Sequence, residues 1–447
     1  MSRIRIIITI IVVVLTTLLT GCTGKEPNEI AYVVALGIDS TDDDNYKITI
    51  QYANTTQISG GASESGGKAG SEIVDNVTIE APNIYAGVGL ANNIVSKSFS
   101  MSHAKLIVFS KEIAEKGVKD MIETLVRSEE IRPDVFIAVA NTTANDYLTS
   151  VNPEMEVNPA QYYQLIYQKN QLVGIPDGQL REFFTGLYTD NYDSILPVAG
   201  VIEGAGGNSQ NDDKGQSKDS QNEGSEGSSE SLDSFESKNS DENEKEKDAE
   251  KNTSKYEYDI KNYVGGETAI EKKNKAEAIG AAVFEKDKMV GELGEVETEI
   301  CKMLKGDYTY SYLTYYNNDT PDIPITVKTT QQKKPKYKID TDKKTVDIEL
   351  YIESDLYSLP ADYNVENKIE DFERDVANYT SSACTEFINN FTKKYNSDIL
   401  KLNEKVKYKF LTNNQYNWFK KNVGWSEYKF SVSTNFKVRR TGLIVRE

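Results

Sequence analysis

Apolar and polar positions divide the chain into stretches of unlike character. Ile6 to Leu19 is an almost unbroken apolar run behind Arg3 and Arg5. At about 14 residues, roughly 21 Å as a helix, it is too short to cross a bilayer comfortably and reads as the core of an export signal. From Glu26 to Glu203 strand and helix signals alternate. "IAYVVALGID" (30–39) is apolar on both faces, as a strand in the middle of a sheet would be. "YKITIQYA", "SEIVDNVTIE", "AKLIVFS", "DVFIAVA" and "SILPVAGVIE" are further strands. Helices are expected over 81–98, over 111–132 with a break at Gly117, and over 158–173 and 179–188. "NTTQISGGASESGGKAGS" (54–71) reads as a loop rich in Gly and Ser.

Over residues 204–256 the apolar pattern disappears into Ser, Asn, Gly, Lys, Asp and Glu. Such a stretch buries too little surface to offset its ordering entropy, so a disordered acidic insertion is expected. Order returns at "AEAIGAAVFEKDKMVGEL" (276–293), a hairpin with a polar tip at Glu285–Lys288. A helix over Val296–Leu304 and strands at 308–316, 323–330, 334–340 and 344–354 follow, the last two alternating as an antiparallel pair. From Asn364 to Tyr395, apolar residues including Ile369, Phe372, Val376, Tyr379, Ala383, Phe387 and Phe391 recur at spacings of three or four. That stripe predicts a long amphipathic helix covering a sheet of its own domain. A shorter helix (414–422) and a long final strand (426–442) end the chain.

Strands joined by helices predict a mixed α/β, α+β class chain of several domains, with sheets packed against helices. The expected segments are a signal peptide at 1–21, an N-terminal mixed α/β domain at 22–203, the insertion at 204–256 and a C-terminal α+β region at 257–447. That last region is expected to hold the hairpin, a helix and an antiparallel sheet.

Composition narrows the chemistry. In 447 residues the formal net charge is −19 and no basic patch suited to phosphates stands out, which argues against nucleic acid as a partner and against the folded part lying on an anionic membrane by charge alone. The single histidine, His103, stands where a strand begins, with no GxSxG nearby, so a histidine-based triad has little to work with. With one His, three Cys and no CxxC, a zinc site has too few ligands, and no metal or other cofactor is expected. Neither a catalytic residue nor a ligand-binding residue can be nominated, and no enzymatic activity is expected. Cys301 and Cys384 read as two separately buried thiols, with one bridge between them as the alternative.

The third cysteine is different. Leu19-Thr20-Gly21-Cys22, followed by the polar spacer Thr23–Glu29, resembles the lipobox of bacterial lipoproteins. Cys22 is therefore the expected site of lipid attachment, the thiol taking a diacylglyceryl group that carries acyl chains such as palmitate.

Four stretches together resemble the Ger(x)C family, the lipoprotein subunits of spore germinant receptors. They are the Cys22 lipobox with its strand ending in Gly37-Ile38-Asp39, "SHAKLIVFSKEIAEKG" with Arg127 and Arg132 downstream, the hairpin "IGAAVFEKDKMVGEL", and "NWFKKNVGWSEYKFSVSTNFKVRRTG". The long insertion and Thr23, where the family usually has an aromatic residue, depart from the pattern. The resemblance implies a non-enzymatic subunit, lipid-anchored on the outer leaflet of the spore inner membrane. It would assemble with A-type and B-type membrane subunits to convert nutrient binding into germination. It also implies that His103 is structural and that Trp418 and Trp425 anchor the last domain. The alternative reading is a lipid-anchored extracytoplasmic solute-binding protein; a cell-envelope hydrolase is a more distant third.

Overall fold

The computed structural model describes residues 3–10, 29–43, 45–53, 74–153, 156, 158–168, 174–189, 191–202, 262–268, 274–316, 324–358 and 368–440. Cys22, the Gly/Ser loop and the acidic insertion lie outside the described residues.

Strands β1 (Ile30–Ser40), β5 (Leu106–Ser110), β6 (Phe136–Ala140) and β7 (Ile195–Val201) are apolar on both faces because each lies inside one sheet with helices on both sides. Nine strands form that sheet. Its order is β3 (Val74–Ala81), β2 (Tyr46–Ala53), β1, β5, β6, β7, β8 (Ala276–Glu285), β9 (Lys288–Leu293), with β4 (Ser98–Ser100) beside the start of β1. The hairpin β8–β9, expected to open the C-terminal region, instead extends this first sheet. Its partner is β7, whose antiparallel pairing with β8 gives it a second neighbour.

Alternation along the strands sorts the core into two layers. On one face Ile38, Ile48, Ile107, Phe109 and Val139 meet helices α1 (Ile84–Ala91), α2 (Lys111–Lys116) and α3 (Lys119–Val126). The other face carries Ala35, Leu106, Val108 and Ala138 against α4 (Ala144–Ser150) and α5 (Pro159–Gln168). A register shift between Val33 and Ala35 puts both Val34 and Ala35 on that second face, as a bulge does. Helix α6 (Leu180–Thr189) completes the first layer through Leu180 and Phe183.

Two elements depart from the pattern. The helix expected over 81–98 stops at Ala91, because the Asn92 side chain accepts the Phe99 amide at 2.8 Å and turns the chain into β4. Helix α4 was not expected at all.

The second sheet has the order β10 (Tyr310–Tyr316), β11 (Pro324–Gln331), β13 (Thr345–Ser358), β12 (Lys336–Asp340), with β14 (Lys429–Arg440) also on β13. The expected antiparallel pair is β12–β13. The sheet is not wholly antiparallel, however: β14 runs parallel to β13. A parallel pair needs a long crossover, and α8 (Ile369–Tyr395) stands in it. Phe372, Val376, Tyr379, Phe387 and Phe391 are buried on its inner stripe, as the spacing predicts. Helix α7 (Glu295–Lys305) packs on both sheets.

Candidate functional site

The junction between the two sheets holds a set of buried polar groups, among them Lys302, Ser397 and Asp398. Helix α7 is its centre. Its last carbonyls, which have no partner within the helix, accept hydrogen bonds from the second sheet: Gln331 Nε2 donates to Met303 O at 2.9 Å and Tyr337 Oη to Leu304 O. On the opposite side Lys302 Nζ donates to Ile175 O at 3.1 Å, and burial lowers this ammonium to about 8. Burial likewise pushes Glu299 up to about 7, although Ser311 and Tyr308 donate to it.

Beside α7, the segment after α8 clasps the tip of β8–β9. Tyr395 Oη donates to Glu292 O at 3.3 Å and Ser397 Oγ to Phe284 O at 3.1 Å. Asp193, just before β7, accepts the Lys286 amide at 3.0 Å and the Asp398 amide at 2.8 Å. Asp398 in turn caps α9 (Leu402–Val406), accepting from Leu402 N at 2.7 Å and Asn403 N at 2.8 Å. Burial raises its carboxyl to about 7; the two amides oppose the rise and the Asp193 carboxylate adds to it. Burial alone would raise Glu182 too, but the ammonium of Lys401 outweighs it and holds the carboxyl below the usual range.

Along this seam runs a cleft of about 130 Å³, walled by Asp193, Lys286, Asp398, Lys420 and Trp425. Each is tied into the fold. Lys420 Nζ, for instance, donates to Asn191 Oδ1 at 3.1 Å and Thr189 O at 3.3 Å, and Trp425 Nε1 donates to Asn403 Oδ1 at 3.1 Å. The groups pair with one another and with backbone, which is the arrangement of a joint. Among the described residues no group of three or more His, Cys, Asp or Glu is disposed to hold a metal ion.

Two matches to protein-family models cover most of the chain. Residues 24–201 match "Spore germination protein N-terminal domain" and residues 279–442 match "Spore germination B3/GerAC like, C-terminal". The chain belongs to the Ger(x)C family of spore germination proteins. Relatives include spore germination protein KC of Bacillus subtilis (strain 168), 26% identical over 36% of this chain and 43% of that protein. Spore germination protein B3 of the same organism is 26% identical over 31% of this chain and 36% of that protein. The chain thus spans less than half the length of these relatives. The crystal structure of the GerBC protein is 15% identical, with a TM-score of 0.48 over 90% of this chain and 96% of that one.

The Ger(x)C motifs acquire physical roles here. Asp39 of Gly37-Ile38-Asp39 is buried and receives the Ala144 amide at 2.6 Å and the Asn145 amide at 3.0 Å, capping α4 from another part of the chain. Gly37 lets that helix come close: a Cβ there would meet Leu148 Cδ1 at 3.0 Å and Ala144 Cβ at 3.1 Å. In the hairpin motif a Cβ on Gly291 would run into the ring of Tyr395. Ser110 caps α2, its Oγ accepting from Ile113 N at 3.4 Å.

His103 is exposed, edge-on to Tyr32 at 4.8 Å and 3.1 Å from Ser102 Oγ. Arg127 and Arg132 pair with neighbouring Glu123 and Asp134 at the surface. Cys301 and Cys384 are free and buried, and burial pushes both thiols up to about 12. Trp425 is buried and anchors its domain as expected, but Trp418 does not: it is 64% exposed. On α10 (Asn413–Asn422) the inward positions belong to Tyr416 and Phe419, and Trp418 points the other way. The aspartates of the seam were missed from the sequence; their only signal was their place just before a strand and just after a long helix.

Proposed function

We propose that the chain is the lipid-anchored C-type subunit of a spore germinant receptor, tethered through Cys22 and assembling with A-type and B-type membrane subunits to pass a nutrient signal to germination. The observation that carries this reading is the family membership across both halves of the chain. The lipobox pattern around Cys22 supplies the anchor. Two acyl chains hold a protein at a bilayer where one binds reversibly. Confinement to one leaflet raises the effective concentration of partners in that leaflet, so modest contacts suffice for assembly. No helix among the described residues is long and apolar enough to cross a membrane, in keeping with anchorage by lipid. The body is non-catalytic in this reading: the buried thiols are held protonated and the seam carboxylates serve as caps. The proposed segments are the leader to residue 21, the domain to 203 completed by the hairpin at 276–293, the insertion to 256 and the α+β region beyond the hairpin.

Replacing Cys22 with Ala tests the reading. Spores carrying only the variant are expected to lose the protein from the inner-membrane fraction and to germinate poorly in nutrients. They should germinate normally by a route that bypasses the receptor. Unchanged nutrient germination with the protein wholly soluble would refute it.

A further inference from the structure

Two stretches break the acidic character of the chain. Between Asp322 and Asp340 no carboxylate occurs and five lysines do (328, 333, 334, 336 and 338). The second stretch lies beside it, Lys409 Nζ donating to Ile339 O. Between Glu404 and Glu427 no carboxylate occurs, while five lysines do (405, 407, 409, 420 and 421), against a whole-chain charge of −19. The same stretch carries the most exposed large apolar side chain of the described residues, Leu411 at 94%, together with Tyr408 at 80% and Trp418 at 64%. Lys407, Lys409 and Lys421 are exposed among them.

These side chains stand on a fixed base. Phe410 packs 4.9 Å from Phe419, Phe419 packs 5.8 Å from Trp425, and Trp425 packs 4.7 Å from Tyr428, all ring to ring. Thr412 caps α10, accepting from Gln415 N at 3.3 Å. Tyr416 Oη lies 3.1 Å from both Asn403 O and Asn191 Oδ1, which share its one hydrogen. Exposure of Tyr408, Leu411 and Trp418 is therefore built into the fold; the Phe410–Phe419 contact brings the 408–411 segment beside α10, and exposed large apolar groups on neighbouring segments mark an interaction surface.

The geometry points to an anionic bilayer surface as the occupant of this face. Trp and Tyr favour the boundary between headgroups and acyl chains, Leu favours the layer beneath, and Lys draws the assembly to anionic headgroups. Charge complementarity selects this occupant, since anionic headgroups attract the two neighbouring lysine-rich stretches and repel the acidic remainder of the body. Repulsion on one side and attraction on the other orient the body, with the 407–421 face toward the lipid. The inference rests on the tethered-subunit reading only for placing the body beside a bilayer.

The chain has two tryptophans, and Trp418 is the exposed one, so its own fluorescence reports on contact. The experiment uses residues 22–447 carrying Cys22→Ala, so that neither leader nor lipid contributes, at low ionic strength. Phosphatidylglycerol vesicles are expected to shift the emission to the blue, and acyl-brominated phosphatidylglycerol to quench it. Trp418→Phe should remove both signals. Leu411→Asp, and separately Lys407→Glu with Lys421→Glu, should weaken the apparent lipid affinity at least tenfold while leaving the thermal transition in place. Phosphatidylcholine vesicles should give little response. No response to phosphatidylglycerol up to millimolar lipid would overturn the inference, as would an equal response from Leu411→Asp. So would protection of Trp418 appearing only when the membrane subunits are added, which would make the face a protein interface. Failure of the anchor itself would show separately, as native protein with an unmodified Cys22.

Discussion

Asp193 and Asp398 hold each other through their backbone amides, one donating to a side chain and the other to a carbonyl. The Asp398 amide donates to the Asp193 carboxylate at 2.8 Å, and the Asp193 amide donates to Asp398 O at 3.2 Å. The first residue leads into β7 of the nine-stranded sheet and the second follows α8 of the other, so this pair ties the two sheets across the chain. Its carboxylates face the Lys286 amide and the start of α9, with Lys405 and Lys401 nearby.

The seam should be sensitive to pH. Folding raises Asp398 from an unfolded value near 3.9 to about 7, so the native state holds this proton more tightly. The stability linked to it is full below about pH 4 and is lost as pH rises through about 7. Glu299, also raised to about 7, acts in the same sense. Urea unfolding between pH 5 and 8 (about two units below and one above the titration) is expected to show stability falling with pH. The fall should be shallower in Asp398→Asn and shallowest when Glu299→Gln is added. Losing one of the two amide bonds costs the single variant about 1 kcal/mol at all pH values.

Capping of α4 should be measurable as well. Asp39→Ala removes the acceptor of two helix amides and is expected to cost about 1–2 kcal/mol in denaturant unfolding. Gly37→Val, which forces side chain into Leu148 and Ala144, should cost about 1–3 kcal/mol by overpacking. A wild-type midpoint in either variant would count against these roles.

That helix shows why part of the fold was hidden in the sequence. "TTANDYLTS" has too few turns for a 3.6-residue period to declare itself; its local signal is only the Thr143 cap, which accepts from Asp146 N at 3.0 Å, and the amides of Ala144 and Asn145 are taken by a residue more than a hundred positions away. The long stripe of α8 was legible because it repeats over many turns, and the β8–β9 hairpin because its polar tip separates two apolar strands. Membership of that hairpin in the first sheet was not legible, since pairing with β7 is made across the acidic insertion. The same holds for the parallel course of β14, which depends on where α8 delivers the chain. As for the site, Asp193 and Asp398 look like ordinary surface acids in an acidic chain. Only the fold brings together residues 205 positions apart. Trp418 and Trp425 shared one expectation and met different fates: phase on α10 turns Trp418 outward, whereas Trp425 lies beyond that helix and is buried with its indole N–H on Asn403.

Gly291 offers a test of the clasp between α8 and the hairpin. Gly291→Ala drives a methyl group into the Tyr395 ring and is expected to destabilise by about 1–3 kcal/mol. In a Tyr395→Ala background the same change should cost much less, giving a coupling energy readable from a double-mutant cycle. Additive costs would place the strain elsewhere.

The two buried thiols should be silent. With Cys22→Ala, the native chain at neutral pH is expected to show no fast reaction with an aromatic disulfide reagent. Two equivalents should appear on unfolding in guanidinium, from Cys301 and Cys384. One rapidly reacting thiol in the native state would contradict their burial.

The most direct measurement of the whole account is mass spectrometry of the native protein's amino-terminal peptide from spore membranes. The expected species begins at residue 22 and carries a diacylglyceryl group on its cysteine sulfur, with residues 1–21 gone. A peptide still joined to the leader, with that thiol free, would contradict the tether on which the receptor-subunit reading depends.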